Sequence, residues 1–162
     1  MQVFIANIDS ISKSPDVFLA WLSPKDKKRA EAFSKQNRKL QFILGHLMVD
    51  NSGKKYNSIA HRDNLVVVAS ADDTMVGVDI ENVSVQRDFV EMAKVMNLPI
   101  PKSLIDFYKS FTKFEAIYKL GTQPKCTKFI RYGDYLICVA ATRNFQKPQL
   151  RDFDINLPLF SK

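Results

Sequence analysis

Residues 75–81 read Met-Val-Gly-Val-Asp-Ile-Glu, an apolar run ending in two acids, Asp79 and Glu81, that stand two positions apart. In a strand, residues i and i+2 leave the same face, so these two carboxylates sit side by side. Acids directly behind a hydrophobic strand are costly to bury without a cation. The pattern therefore points to a carboxylate pair sharing one ion, against the plainer alternative of two exposed strand-end charges. Magnesium suits such a pair, because it takes hard oxygen ligands and commonly binds one or two carboxylates together with waters and substrate phosphates.

Upstream, Leu65-Val66-Val67-Val68-Ala69 is a second β-branched run, and the polar Ala71-Asp72-Asp73 between the two predicts an antiparallel pair. Helical spacing begins at Ser23-Pro24, where serine can cap, proline suits the first turn and Asp26 completes a capping box, and it runs to about residue 33. A second helix is predicted over 38–49, with Phe42, Ile43, Leu44, Leu47 and Met48 on a broad apolar face, broken at Asn51-Ser52-Gly53. Further helices are predicted over 89–96 and 103–120, the latter ended by Gly121. Strands at 128–130 and 135–141 surround Gly133-Asp134, and the segment after Lys147-Pro148 is loosely patterned.

A weak repeat runs through this layout. Residues 5–12 can be laid on 77–84, and Leu65-Val66-Val67-Val68-Ala69 on Leu136-Ile137-Cys138-Val139-Ala140 at nearly the same offset. Each half would be a strand, helices, then strands. The expectation is one α+β domain over 1–162, built from two pseudo-repeated α+β halves packed face to face, at about 1–72 and 73–148, with a tail at 149–162. The cleft between the halves is then the natural ligand site.

The charge balance, 24 Lys and Arg against 17 Asp and Glu for a net +7, favours anionic partners, although such charge also serves solubility alone. No apolar run approaches the roughly 20 residues of a membrane span, and Met1-Gln2-Val3-Phe4-Ile5 lacks the parts of a signal peptide, so a cytoplasmic protein with no membrane partner is expected. Cys126 and Cys138 form no CxxC motif and are expected to be reduced, and His46 and His61 make no HExxH pair, so no zinc site is indicated.

On the helix predicted over 103–120, Glu115 offers a third carboxylate, and Lys119 follows four residues later on the same face, within reach of a phosphate polarised by a metal. The alternative is a surface ion pair worth about 0.2–0.5 kcal/mol. Taken together, Val76-Gly77-Val78-Asp79-Ile80-Glu81 and Phe111-Thr112-Lys113-Phe114-Glu115-Ala116-Ile117-Tyr118-Lys119-Leu120-Gly121 resemble the paired signature of the 4′-phosphopantetheinyl transferase superfamily, a GVDIE strand followed by a WxxKEAxxK helix. Ser58-Ile59-Ala60-His61 resembles its SISH element. Ser23-Pro24 through Arg29, Phe33 and Leu44-Gly45 resembles the N-terminal helices of the longer, surfactin-synthetase-activating type, so the likeness spans about residues 1–143.

That resemblance implies the two-half fold of the family, in a shortened and self-sufficient monomer. It also implies transfer of the phosphopantetheine arm of coenzyme A to a serine of an acyl, peptidyl or polyketide carrier protein, with release of adenosine 3′,5′-bisphosphate. Asp79, Glu81 and Glu115 would hold magnesium, and Glu115 would also take the proton of the carrier serine. Lys119 would contact the coenzyme A diphosphate and His61 its 3′-phosphate, while Lys54, in Gly53-Lys54, and Arg29 match basic residues near the nucleotide. A basic surface would attract the acidic carrier, and nucleic acid is not an expected partner.

The chain departs from the pattern at several points. Phe111 stands for the tryptophan and Phe114 for the lysine before the glutamate; Ala60 stands for the second SISH serine, removing a hydroxyl from the phosphate; and the loop over 53–58 is short. His46 and Asp50 stand where the longer enzymes often carry arginines. Two other readings stay open. One is a catalytically weakened relative that binds coenzyme A. The other is a magnesium nuclease, whose usual lysine two residues after the second acid is here Val83.

Overall fold

The computed structural model describes residues 1–155. The chain runs β1 (Gln2–Asn7), α1 (Asp9–Ser12), α2 (Pro15–Ala20), α3 (Pro24–Glu31), α4 (Gln36–Ser52), β2 (Tyr56–Arg62), β3 (Leu65–Ala71), β4 (Val76–Asn82), α5 (Phe89–Val95), α6 (Leu104–Leu120), β5 (Cys126–Tyr132), β6 (Tyr135–Ala141) and β7 (Leu150–Asp152). The architecture is mixed α+β, with two sheets ordered β2-β3-β1-β7 and β4-β6-β5. No helix among the described residues is long and apolar enough to cross a membrane.

Double-sided burial explains the layering. Every residue of β3 is buried: Val67 and Ala69 enter the core between the sheets, while Val66 and Val68 meet Ile43, Leu44, Leu47 and Met48 of α4. In β6, Ile137 and Val139 face that same inter-sheet core, and Cys138 and Ala140 pack on Ala116 and Leu120 of α6. The order is helix, sheet, sheet, helix. Strands covered on both faces must be apolar throughout rather than alternating, which is how these two runs read.

This layering corrects the expected antiparallel pair of residues 65–69 with 75–81. β3 is flanked by β1 and β2, both antiparallel to it, whereas β4 pairs with β6 in the other sheet. The polar segment between them carries the chain across the layers, because each run already has hydrogen-bonding neighbours within its own sheet.

Local signals match their elements. Ser23 accepts the Asp26 amide and donates to its carboxylate at the start of α3, and Ser103 does the same with Asp106 on α6. Helix α4 runs through Asn51 and Ser52 and stops at Gly53. The segment after Pro148 is more ordered than expected: β7 adds to β1 in parallel, the Phe153 amide donates to the Ile5 carbonyl at 2.8 Å, and Ile155 is buried beside α4. The rest of the expected tail, residues 156–162, lies outside the described residues.

Candidate functional site

The two sheets meet at their edges. β2 and β4 are edge strands, and the Ser58 hydroxyl accepts the Val78 amide at 3.0 Å, tying one to the other. On β4, Val78 and Ile80 enter the inter-sheet core, so Gly77, Asp79 and Glu81 face outward toward α6. Gly77 has no side chain, and the backbone of α6 lies directly on it. This contact brings the acids of the strand beside the charged face of the helix.

Asp79 and Glu81 are both buried, at 7% and 8% exposure. Lys119 donates to Asp79 Oδ1 at 2.8 Å, across 40 positions of sequence. Burial holds the Asp79 carboxyl above its usual range against the opposing pull of Lys119, and the charge of Glu115 pushes in the same direction as burial. Glu81 is likewise raised by burial; Arg62 Nη1 stands 3.3 Å and Arg87 Nη2 3.9 Å from its Oε2, and both oppose the shift. Asp79 Oδ2 and Glu81 Oε2 are buried without a hydrogen-bond partner among the described residues.

Asp79 Oδ2 and Glu81 Oε2 lie on one strand face and are of the donor type a hard divalent cation prefers, although Glu81 Oε2 already faces the guanidinium groups of Arg62 and Arg87. Among the described residues, however, no three His, Cys, Asp or Glu side chains are gathered as a ready-made metal cage. Asp79 and Glu81 come together as the sequence suggests. Glu115, half-buried on α6 one turn before Lys119, reaches Asp79 through its charge.

On the other side of β2, His61 is half-buried and faces Arg38 of α4. Arg38 Nη1 lies against both ring nitrogens, 3.0 Å from Nδ1, and also donates to Gln41 at 3.3 Å. Burial first, then the charges of Arg38 and Lys119, lower the His61 pKa to about 4. Asn37, Arg38, Gln41, His61, Arg62 and Asn64 line an open cleft of about 570 Å³ together with Asp63. This cleft is built from α4 and the β2–β3 hairpin, on the flank of the seam.

The remaining expected site residues lie elsewhere. Arg29 pairs with Asp26 at 3.2 Å and stacks over Phe42 at 5.1 Å, against the outer face of α4. Lys54 sits ahead of β2, at the end opposite His61, and donates to Asp72 at 2.7 Å. Ala60 points into the inter-sheet core, so a serine there would not offer its hydroxyl on the His61 face. Phe111 stacks on Phe107 within the core under α5 and α6, whereas Phe114 is exposed. Cys126 and Cys138 are free thiols, and burial pushes the latter up to about 12.

Arg38, Arg62 and Arg87 are site residues that the sequence did not single out, and Ser58, the first residue of the SISH-like element, was given no role of its own. Arg62 follows His61 directly, and period-2 alternation would have placed it on the Glu81 side of β2; no spacing rule marks Arg38 or Arg87. No protein-family model matches the chain, and no curated protein matches it.

Proposed function

We propose that the protein transfers the 4′-phosphopantetheine arm of coenzyme A to a serine of an acyl, peptidyl or polyketide carrier protein. The observation that carries this reading is the meeting of Asp79 and Lys119, a buried strand acid and a helix base hydrogen-bonded at 2.8 Å, beside a second buried acid, Glu81. The signature segments resembling the transferase family thus lie against each other, although 29 residues separate the end of the first from the start of the second.

The strand orders also support two pseudo-repeated halves, because β1, β3 and β2 occupy the same relative places as β4, β6 and β5. The residue-by-residue repeat does not carry over: it lays Ile5 and Val67, in the inter-sheet core, on Gly77 and Cys138, which face α6, a mismatch of one residue that exchanges the two faces of the strand.

In this reading Asp79 and Glu81, with Glu115, would hold magnesium, which when bound neutralises charge on the diphosphate. Lys119 orients the diphosphate, His61 and its neighbours fix the nucleotide end, and Glu115 takes the proton of the incoming serine. Alignment and charge neutralisation are most of what phosphoryl transfer asks of a protein. Incubation with coenzyme A, magnesium and a panel of apo-carrier proteins tests the proposal: a carrier should gain the mass of the transferred arm, and the gain should vanish with chelator. No gain with any carrier would count against it.

A second reading is favoured by Arg62 and Arg87. With Lys119 on Asp79 and these two near Glu81, internal cations already balance the acid pair, as expected of a relative that binds coenzyme A with weakened catalysis. Coenzyme A binding without transfer to any carrier would select this reading. A magnesium nuclease remains the third, and cleavage of DNA or RNA without coenzyme A binding would mark it.

A further inference from the structure

We infer that Arg38, rather than His61, supplies the positive charge that a terminal phosphate monoester meets in the cleft between α4 and the β2–β3 hairpin. It is then a specificity-determining residue of the transferase reading on which this inference rests. A phosphate monoester is close to a dianion at neutral pH and needs a cationic partner once it leaves water. His61 is the obvious candidate from the sequence, but its ring already stands against the guanidinium of Arg38. Two cations in that contact would repel, so the imidazole is neutral and offers a hydrogen bond without a charge. Burial acts in the same direction, taking His61 down to about 4.

Arg38 is also held in place for the task. It is exposed at the rim of the cleft, donates to Gln41, and Gln41 in turn donates to the Asp63 carbonyl at 2.8 Å. These contacts to Gln41 and His61 are made through Nη1, and a guanidinium carries further donors in the same plane, suited to a bidentate grip on phosphate oxygens. Asp63, the acid that lines the cleft, stays ionised, but its carboxylate is held by Asn82 and Tyr135, each at 3.0 Å, and Arg62 Nε stands 3.7 Å from its other oxygen, which offsets its charge. Lys119, whose charge reaches His61 from α6, adds to the positive field.

Calorimetric titration of wild type, Arg38→Gln and His61→Gln with coenzyme A and with dephospho-coenzyme A, without metal, tests the assignment. Wild type should prefer coenzyme A; Arg38→Gln should reduce that preference about tenfold or more, as loss of a charge-assisted contact requires, with a smaller loss in His61→Gln. Arg38→Lys, which keeps the charge but not the fork, should fall between Arg38→Gln and wild type. Equal wild-type affinity for the two ligands, a smaller loss in Arg38→Gln, or an equal or greater loss in His61→Gln would each overturn it. If wild type binds neither ligand, with magnesium or without it, the transferase reading fails, and titration with inorganic phosphate decides the charge assignment alone. Binding that Arg38→Gln weakens by about fivefold or more upholds it; no binding, or binding indifferent to Arg38, overturns it. Unchanged thermal melting of the exposed-site variant controls for folding.

Discussion

The side-chain position of Gly77 on β4 is taken up by the backbone of α6: a Cβ there would stand 2.7 Å from the Leu120 amide nitrogen and closer still to the Ala116 carbonyl oxygen. Neither atom is the end of a flexible side chain, so helix and strand would have to separate. Gly77→Ala should therefore cost at least the about 1–3 kcal/mol usual for overpacking, and it should part Lys119 from Asp79. Urea denaturation reads the first effect and metal titration the second; a variant as stable as wild type would show that α6 does not rest on the strand.

Lys119→Met should take from the buried Asp79 carboxylate the side-chain cation that donates to it at 2.8 Å. The Asp79 pKa should rise further, and stability at pH 7 should fall by about 1–2 kcal/mol, less than for a fully buried pair because Lys119 is partly exposed. The cost should shrink as pH falls and Asp79 takes up a proton. Carboxyl NMR titration and chemical denaturation at two pH values check both statements.

Ser58→Ala should strand the Val78 amide at the join of the two sheets. An orphaned buried donor costs about 1–3 kcal/mol, and Ser58→Thr, which keeps the oxygen, should cost less. Slowed hydrogen exchange at Val78 should be lost in the alanine variant and retained in the threonine one.

His61 has a folded-state pKa of about 4, below the ordinary value of 6.5. The unfolded chain therefore binds more protons between those values, and this residue contributes stability that is lost as pH falls from 6.5 toward 4. Asp79 and Glu81, raised by burial, work in the opposite sense, so the comparison is made against a variant. His61→Gln should flatten the acid limb of a stability–pH curve relative to wild type; parallel curves would contradict a neutral His61.

Under the proposed transfer reaction, Glu115→Gln should lower kcat about 100-fold or more, the usual contribution of a positioned base, while the melting temperature changes little because the side chain is only half-buried. Single-turnover transfer to a carrier reads the first and thermal denaturation the second.

Much of the element list was legible in residue patterns. The unbroken apolar runs of β3 and β6 announced strands, Ser23 with Asp26 marked a helix start, and Gly121 marked a helix end. β2 and β7 were harder to read, since Tyr56–Arg62 mixes polar and apolar residues and the three residues of β7 pair with β1 across the length of the chain. At the site, Asp79 and Glu81 were readable as one-sided acids because they share a strand, and Glu115 and Lys119 as one helical face. Arg29 and Lys54 were singled out by likeness, and the structure gives each a separate local partner.

The sequence alone settled what is local: which residues share a face of a strand or helix, where helices are capped, and which side chains can carry charge together. Tertiary structure decided which sheet each strand joined, that Arg38 meets His61 across 23 positions, and that Lys119 meets Asp79 across 40. The reason is physical. Periodicity follows from backbone geometry, which every short segment carries within itself, whereas strand partners and ion pairs are chosen by the packing of layers that no segment possesses alone.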